Sequence, residues 1–186
     1  LQNEPNFVPT DAKISFVDAL SKTGAVDIEA SAFVSPRWVP QLKDAADVFA
    51  GIQRSQGESY SALVPNEKGL DRALASEVDR IAVFTAASET FNQNNINASI
   101  ADSFVRIKPV VERAATMKLS YRGYVSTAFW CPYEGKIDPL KAAEVIERLA
   151  DTGVTDVSIG DTIGKASPQD VKDLLDEVLK RVPADR

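Results

Sequence analysis

At 186 residues and 44% hydrophobic content, the chain is long enough for one domain with a real core, and its formal net charge is -6. That acidity excludes general nucleic-acid binding, which neutralises phosphates with clustered Lys and Arg. One cysteine excludes a disulfide framework, the lack of histidine removes the commonest acid–base group and metal ligand, and no apolar run reaches the roughly 20 residues that cross a bilayer.

Thr10 to Lys22 has helical spacing, with Ile14, Val17 and Leu20 on one face and Gly24 placed to stop it. Ala25 to Gln41 opens as a buried strand through Val26, Ile28, Phe33 and Val34, then breaks at Ser35-Pro36 and Pro40. Glu29 and Ser31 interrupt this apolar run near its carboxyl end. A charge there is costly unless paired, which makes Glu29 the first candidate for chemistry.

Gln41 to Ile52 reads as a helix, Ser59 to Val64 as a strand, and Pro65-Asn66 as a turn into a helix carrying Leu70, Ala73 and Leu74. Arg80 to Thr85 is a third strand ending in Ser88-Glu89. Phe91 to Ser99 is rich in Asn and reads as a loop. Ser99 and Asp102 make an acidic capping box for a long helix that Pro109 should kink. Leu119 to Thr127 is a fourth strand, followed by the loop WCPYEGKIDP. Asp138 and Pro139 suit the N-cap and first position of the next helix, which Gly153 ends. Val154 to Ile159 is a fifth strand, and Ser167, Pro168 and Asp170 cap the last amphipathic helix through Leu174 and Val178.

Strands alternating with helices imply a parallel sheet with crossovers. An open doubly wound sheet would carry a Gly-rich turn after its first strand, and none is present. A (β/α)8 TIM barrel gathers its chemistry at the carboxyl ends of strands. Those ends carry Glu29 and Ser31, Asn66, Ser88 and Glu89, Tyr124 and Ser126, and Ser158 and Asp161. The expected fold is therefore an α/β barrel of about five units over residues 1–186, without an internal linker. Five units cannot close eight strands. With a first residue that is Leu1 and not Met, this predicts a piece of something longer, lacking the first strand and the last units.

Six short words in this order resemble hydroxymethylglutaryl-CoA lyase, a metal-dependent TIM-barrel family. They are LQNE (1–4), IEASAFVSPRWVPQ (28–41), AASETFNQNNIN (86–97), RGYVS (122–126), CPYEGK (131–136) and GDTIG (160–164). The resemblance implies cleavage of 3-hydroxy-3-methylglutaryl-CoA to acetyl-CoA and acetoacetate with Mg2+ or Mn2+, in leucine degradation and ketone-body metabolism. It places Gln2 close to the metal centre and has Glu29 hold a catalytic arginine. Asp161 then stands near the substrate hydroxyl in proton transfer, with Tyr124 and Ser158 facing substrate. Arg122 lies behind Tyr124, and Asn95 and Asn97 stand near the CoA arm. In the family an Arg-Asp-Gly precedes LQNE, and the metal-binding histidines, an asparagine and a loop cysteine follow later. None of the recognised metal ligands is thus expected among these residues.

The same residues have plainer readings. Asp161 can cap the turn that follows it, Arg122 can be an internal salt-bridge partner, and Tyr124 can be core. Trp38 and Trp130 can pack under loops, Cys131 can be a small buried hydrophobe, and the acids of Asp170–Glu177 can be a solvated helix face. Two rival functions are an acyl-CoA condensing enzyme of the same barrel group, of the isopropylmalate or homocitrate synthase type, and a catalytically inert structural fragment. The expected partners are an acyl-CoA substrate and further copies of the chain through its unpaired outer strands, with no nucleic acid and no membrane. The expected compartment is the cytoplasm.

Overall fold

The alternation expected from the sequence is adopted over residues 1–186 in a computed structural model. The chain divides into two compact units, Leu1–Ala82 and Val83–Arg186.

In the first unit, α1 (Thr10–Ser21) leads to β1 (Asp27–Ala32), which pairs in parallel with β2 (Ser59–Leu63). β2 pairs in parallel with β3 (Arg80–Ala86) over Ser61–Leu63 and Arg80–Ala82. Asp27 accepts from Ser61 Oγ at 2.9 Å and Arg80 Nη1 at 3.0 Å, tying the amino ends of all three strands together. β1 carries a bulge: Glu29 stands opposite Ser61 and Ser31 opposite Ala62, which leaves Ala30 as an extra residue. The strand is shorter than its apolar run. Val26 lies before it and is 76% exposed, so its β-branched side chain is not the core residue expected.

The helix expected over Gln41–Ile52 is divided. A 3-10 turn, Pro40–Leu42, precedes α2 (Ala45–Gly51), because the Gln41 and Asp44 side chains are both engaged elsewhere. Ala45, Val48 and Phe49 are buried as the pattern requires. α3 (Glu67–Ala75) begins where Asn66 Oδ1 accepts the Gly69 amide at 3.0 Å. Tyr60, Val64, Leu70 and Ile81 are completely buried, and each such Leu or Ile contributes about 1.5–3 kcal/mol.

In the second unit, α4 (Glu89–Ile96) occupies the Asn-rich stretch expected to be a loop. Its caps decide the matter. Ser88 Oγ accepts the Phe91 amide at 3.0 Å, and Asn97 closes the helix at φ 49°, a left-handed conformation that Asn tolerates. α5 (Ile100–Thr116) is capped by Ser99 and runs through Pro109. β4 (Ser120–Ser126) follows. The stretch expected as a plain loop contains an antiparallel hairpin, β5 (Trp130–Cys131) with β6 (Gly135–Lys136), turned at Gly135 with φ 76°.

α6 (Pro139–Ala150) begins on the Asp138 cap and buries Ala142, Ile146 and Leu149. Leu149 is why position 123 is glycine: a Cβ there would stand 2.5 Å from Leu149 Cδ2. β7 (Asp156–Ile159) pairs in parallel with β4, and α7 (Pro168–Val178) starts on the complete capping box of Ser167 and Asp170. The strand order is β1-β2-β3 where the first unit pairs, and β4 lies beside β7 in the second. No helix is long and apolar enough to cross a membrane.

Candidate functional site

Residues of β4 alternate in burial. Tyr121, Gly123 and Val125 are buried, whereas Arg122, Tyr124 and Ser126 form a half-buried polar row. This is the period-two consequence of a strand packed on one side. In the parallel register Arg122 stands opposite Asp156 and Tyr124 opposite Ser158. Arg122 Nε donates to Asp156 Oδ1 at 2.5 Å, and the guanidinium also hydrogen-bonds the Tyr124 side chain. Burial works to lower the Arg122 pKa, but those two hydrogen bonds outweigh it and hold it above the ordinary value.

Asp161 lies two residues beyond β7. Its Oδ1 accepts the Lys165 amide at 3.1 Å and its Oδ2 the Ala166 amide at 2.9 Å, so it organises its own loop. Each carboxylate oxygen retains further acceptor capacity, so a substrate hydroxyl can still be received. The structure brings Arg122, Tyr124, Ser158 and Asp161 to neighbouring positions on β4, β7 and the following loop.

The loop is pinned from β4 by an unusual residue. Thr127 is completely buried and β-branched, yet has φ 50°. Its amide donates to Thr162 Oγ1 at 2.7 Å, and the Ala128 amide donates to Gly160 O at 3.1 Å. The Gly160 amide returns to Val125 O at 2.9 Å, and a Cβ on Gly160 would lie 3.2 Å from that oxygen. A left-handed threonine costs about 1–3 kcal/mol and persists only where its surroundings over-determine it, most often at functional sites.

Asn97 and Asn95 lie at the end of α4. Asn95 is exposed, and Asn97 Oδ1 accepts Gln93 Nε2 at 2.8 Å. The hairpin of β5 and β6 meets the other end of α4, where Cys131 Sγ is 3.0 Å from Ser88 Oγ and Thr90 N donates to Glu134 Oε1 at 2.7 Å. Burial raises the Glu134 carboxyl, but hydrogen bonds from Thr90 and Ser88 outweigh it and leave it below the usual carboxylate range. Cys131 is a small buried side chain, 2% exposed.

In the first unit, Glu29 is the third of six residues in β1 and is exposed, so it is neither at the strand's carboxyl end nor a buried charge. Within residues 1–186 β1 pairs on one side only, with β2. Gln2 is exposed in the segment before α1. Trp38 does not pack under a loop, being 84% exposed. Trp130 does pack: Lys165 Nζ lies 3.9 Å from its ring centroid and its Nε1 reaches Asp170 Oδ2 at 3.4 Å.

Asp170 is not part of a solvated acidic face either. It accepts from Lys136 at 2.6 Å and from Ser167, and these bonds hold its carboxyl far below the usual range. Two participants were missed in the sequence. Asp156 repeats, two residues before Ser158, the spacing of Arg122 before Tyr124, and that shared period could have found it. Thr127 left no signal, since its conformation is imposed by the loop it meets. No group of three or more Cys, Asp or Glu side chains could hold a metal ion, and there is no histidine. The residues present do not fit a divalent-cation site.

A parallel β/α chain with polar groups at successive strand ends matches the HMGL-like family model over residues 1–186, and the chain belongs to that family. It is 48% identical over 183 residues to the mitochondrial hydroxymethylglutaryl-CoA lyase of Rattus norvegicus, covering 98% of this chain and 56% of that protein. The cytoplasmic 3-hydroxy-3-methylglutaryl-CoA lyase of the same animal is 49% identical, with 98% of this chain and 53% of that one covered. Among solved structures, the HMG-CoA lyase of Brucella melitensis superposes with a TM-score of 0.96 at 49% identity, over 98% of this chain and 64% of that one. An HMG-CoA lyase from A. baumannii, solved with coenzyme A and 3-methylmalate, gives 0.93 at 37% identity, over 98% and 60%. The chain thus spans about half the length of the curated relatives it matches. The fold is that of a (β/α)8 TIM barrel, of which these residues carry five parallel strands.

Proposed function

We propose that the whole protein to which these residues belong is a lyase that cleaves 3-hydroxy-3-methylglutaryl-CoA to acetyl-CoA and acetoacetate. The observation that carries this is the near-half identity to lyases of that name along 98% of the chain. It favours the lyase over a condensing enzyme of the synthase type. Residues 1–186 act in this reading as one segment of the catalytic domain.

The reaction is a reverse aldol scission. A base removes the proton of the tertiary hydroxyl, the carbon–carbon bond breaks as that oxygen becomes the ketone of acetoacetate, and the electron pair leaves as the acetyl-CoA enolate. A proton delivered to the enolate carbon completes the second product. Asp161, held by two backbone amides, accepts the hydroxyl proton or positions that hydroxyl. Tyr124 and Ser158 line the acyl portion, and Arg122, locked by Asp156, fixes the Tyr124 phenol. In the lyase reading Glu29 holds the catalytic arginine, Gln2 stands near the metal centre, and Asn95 and Asn97 meet the CoA arm. Mg2+ or Mn2+ would polarise substrate oxygens when bound; its ligands in this reading are not among these residues. Leucine degradation and ketone-body formation are the metabolic setting, the cytoplasm the compartment, and a homo-oligomer the assembly.

The deciding assay offers the whole protein hydroxymethylglutaryl-CoA and, separately, acetyl-CoA with a 2-oxo acid. Acetoacetate release from the first and no condensation in the second is the expected result. Condensation without cleavage would move the protein to the synthase group, and activity with neither would leave the structural reading.

A further inference from the structure

The segment Leu1–Pro9 has no helix or strand to hold it, yet its path is set by one buried side chain on another element. Gln41, 6% exposed, sits in the turn before α2. Its Nε2 donates to Asn6 O at 2.9 Å and to Glu4 O at 3.2 Å, and its Oε1 accepts the Val8 amide at 2.8 Å. Both ends of one amide are therefore spent on the backbone of residues 4–8. Upstream, the Glu4 amide donates to Leu1 O at 3.0 Å and closes the turn containing Gln2.

Gln41 is itself anchored. Its carbonyl accepts from Lys13 Nζ, which also meets Asp44 Oδ1 at 2.8 Å and Oδ2 at 3.0 Å. Thr10 Oγ1 donates to Asp44 Oδ2 at 2.7 Å. Lys13 and Lys43 lie 4.3 Å and 4.5 Å from the Phe7 ring centroid, so the segment is gripped by ring as well as by backbone. A side-chain amide satisfying two carbonyls and one amide of an irregular segment does what a neighbouring strand would do, since such groups are costly to leave unmade.

We infer that Gln41 is a positioning residue: its side-chain amide holds the Leu1–Glu4 turn, and with it Gln2, in the register the reaction needs. The inference rests on the lyase reading for its consequence in catalysis and on the hydrogen bonds alone for its structural part. Displacement of a polar group by about 1 Å can cost about 100-fold in rate, so a clamp remote from substrate acts through kcat. Gln41 itself touches no substrate in this reading, and KM for the acyl-CoA stays within about twofold.

The test uses the whole protein with Gln41→Met, which keeps length and lacks both the amide donors and the acceptor. Val8→Pro is the second variant and removes one of the three bonds from the opposite side. Hydrogen exchange by mass spectrometry should show residues 1–8 losing protection at least tenfold in Gln41→Met and less in Val8→Pro, with β1 and β2 unchanged. kcat should fall about 10–100-fold in the first and less in the second, at a near-constant KM and an unchanged pH profile. Unaltered exchange in residues 1–8 overturns the clamp. Altered exchange with full kcat overturns the positioning role. A wild-type protein without lyase activity counts against the proposed function alone, and the exchange measurement then still decides the clamp.

Discussion

Two ion pairs, one in each unit, use the same chemistry at different depths. Lys13 and Asp44 lie 2.8 Å apart with side chains 6% exposed each. Arg122 and Asp156 are 2.5 Å apart, but their side chains are 33% and 31% exposed. The first pair has been taken out of water, with its remaining valences filled by Thr10 and the Gln41 carbonyl. The second leaves guanidinium donors, the Tyr124 phenol and Ser158 within reach of solvent and so of a ligand. Depth separates a charge committed to architecture from one that solvent still reaches.

If that contrast holds, breaking the deep pair should produce the largest effect on stability. Lys13→Met leaves the Asp44 carboxylate buried without its cation and should cost about 3–5 kcal/mol, read as a lower denaturant midpoint at constant slope. The pair also sets an acid limit. Burial raises the Asp44 carboxyl, but the bonds from Lys13 and Thr10 outweigh it and hold it below its ordinary 3.8. A depressed folded value means the contribution is present above pH 3.8 and is lost as pH falls through the folded pKa. Asp44→Asn should therefore flatten the stability profile below about pH 4; an unchanged acid limb would remove the pair from the account.

Next in size is a change of packing beneath the shallow pair. Gly123→Ala drives a methyl into Leu149 and should cost about 1–3 kcal/mol, with the neighbouring Arg122 row losing order. Full stability in this variant would mean that α6 can give way there at little cost. Arg122→Lys should show the opposite pattern to Lys13→Met. Stability should move by no more than about 1 kcal/mol. Cleavage of the acyl-CoA should fall at least about tenfold in kcat/KM, because an ammonium cannot hold Asp156 and Tyr124 in one plane. A stability loss matching that of Lys13→Met would erase the distinction. The smallest effect belongs to Thr127→Gly. Relief of the left-handed strain offsets the lost contacts, so the midpoint should rise or stay within about 1 kcal/mol. A larger loss would show that the threonine is held there for its side chain.

The layout of the fold could be read because period and punctuation agreed. The caps at Asp138 and Ser167 lie where polar residues precede apolar runs, and β3 carries the β-branched Ile81, Val83 and Thr85. Composition misled where a short local signal outweighed it. The Asn-rich segment is α4 because Ser88 and Asn97 cap it, and the hairpin of β5 and β6 is too short to show alternation. For the site, Arg122, Tyr124 and Ser158 could be read as polar interruptions of strands, and their register joins them. Asp156 shares with Ser158 the spacing of Arg122 and Tyr124 and was within reach of the sequence, whereas Thr127 became visible only through the loop it meets. Glu29 is exposed within residues 1–186, where β1 pairs on one side only, so its exposure follows from which strands these residues include and not from its own letters.

The extra residue at Ala30 gives β1 a change of phase within six residues. Downstream, the Phe33 amide is fastened to Leu63 O at 2.8 Å, so the chain beyond the bulge is fixed. A deletion at position 30 would remove only the extra residue, leaving Glu29 opposite Ser61 and Ser31 opposite Ala62 in one unbroken register. Loss of that one codon would thus restore strict alternation along β1 while every remaining residue keeps its partner on β2.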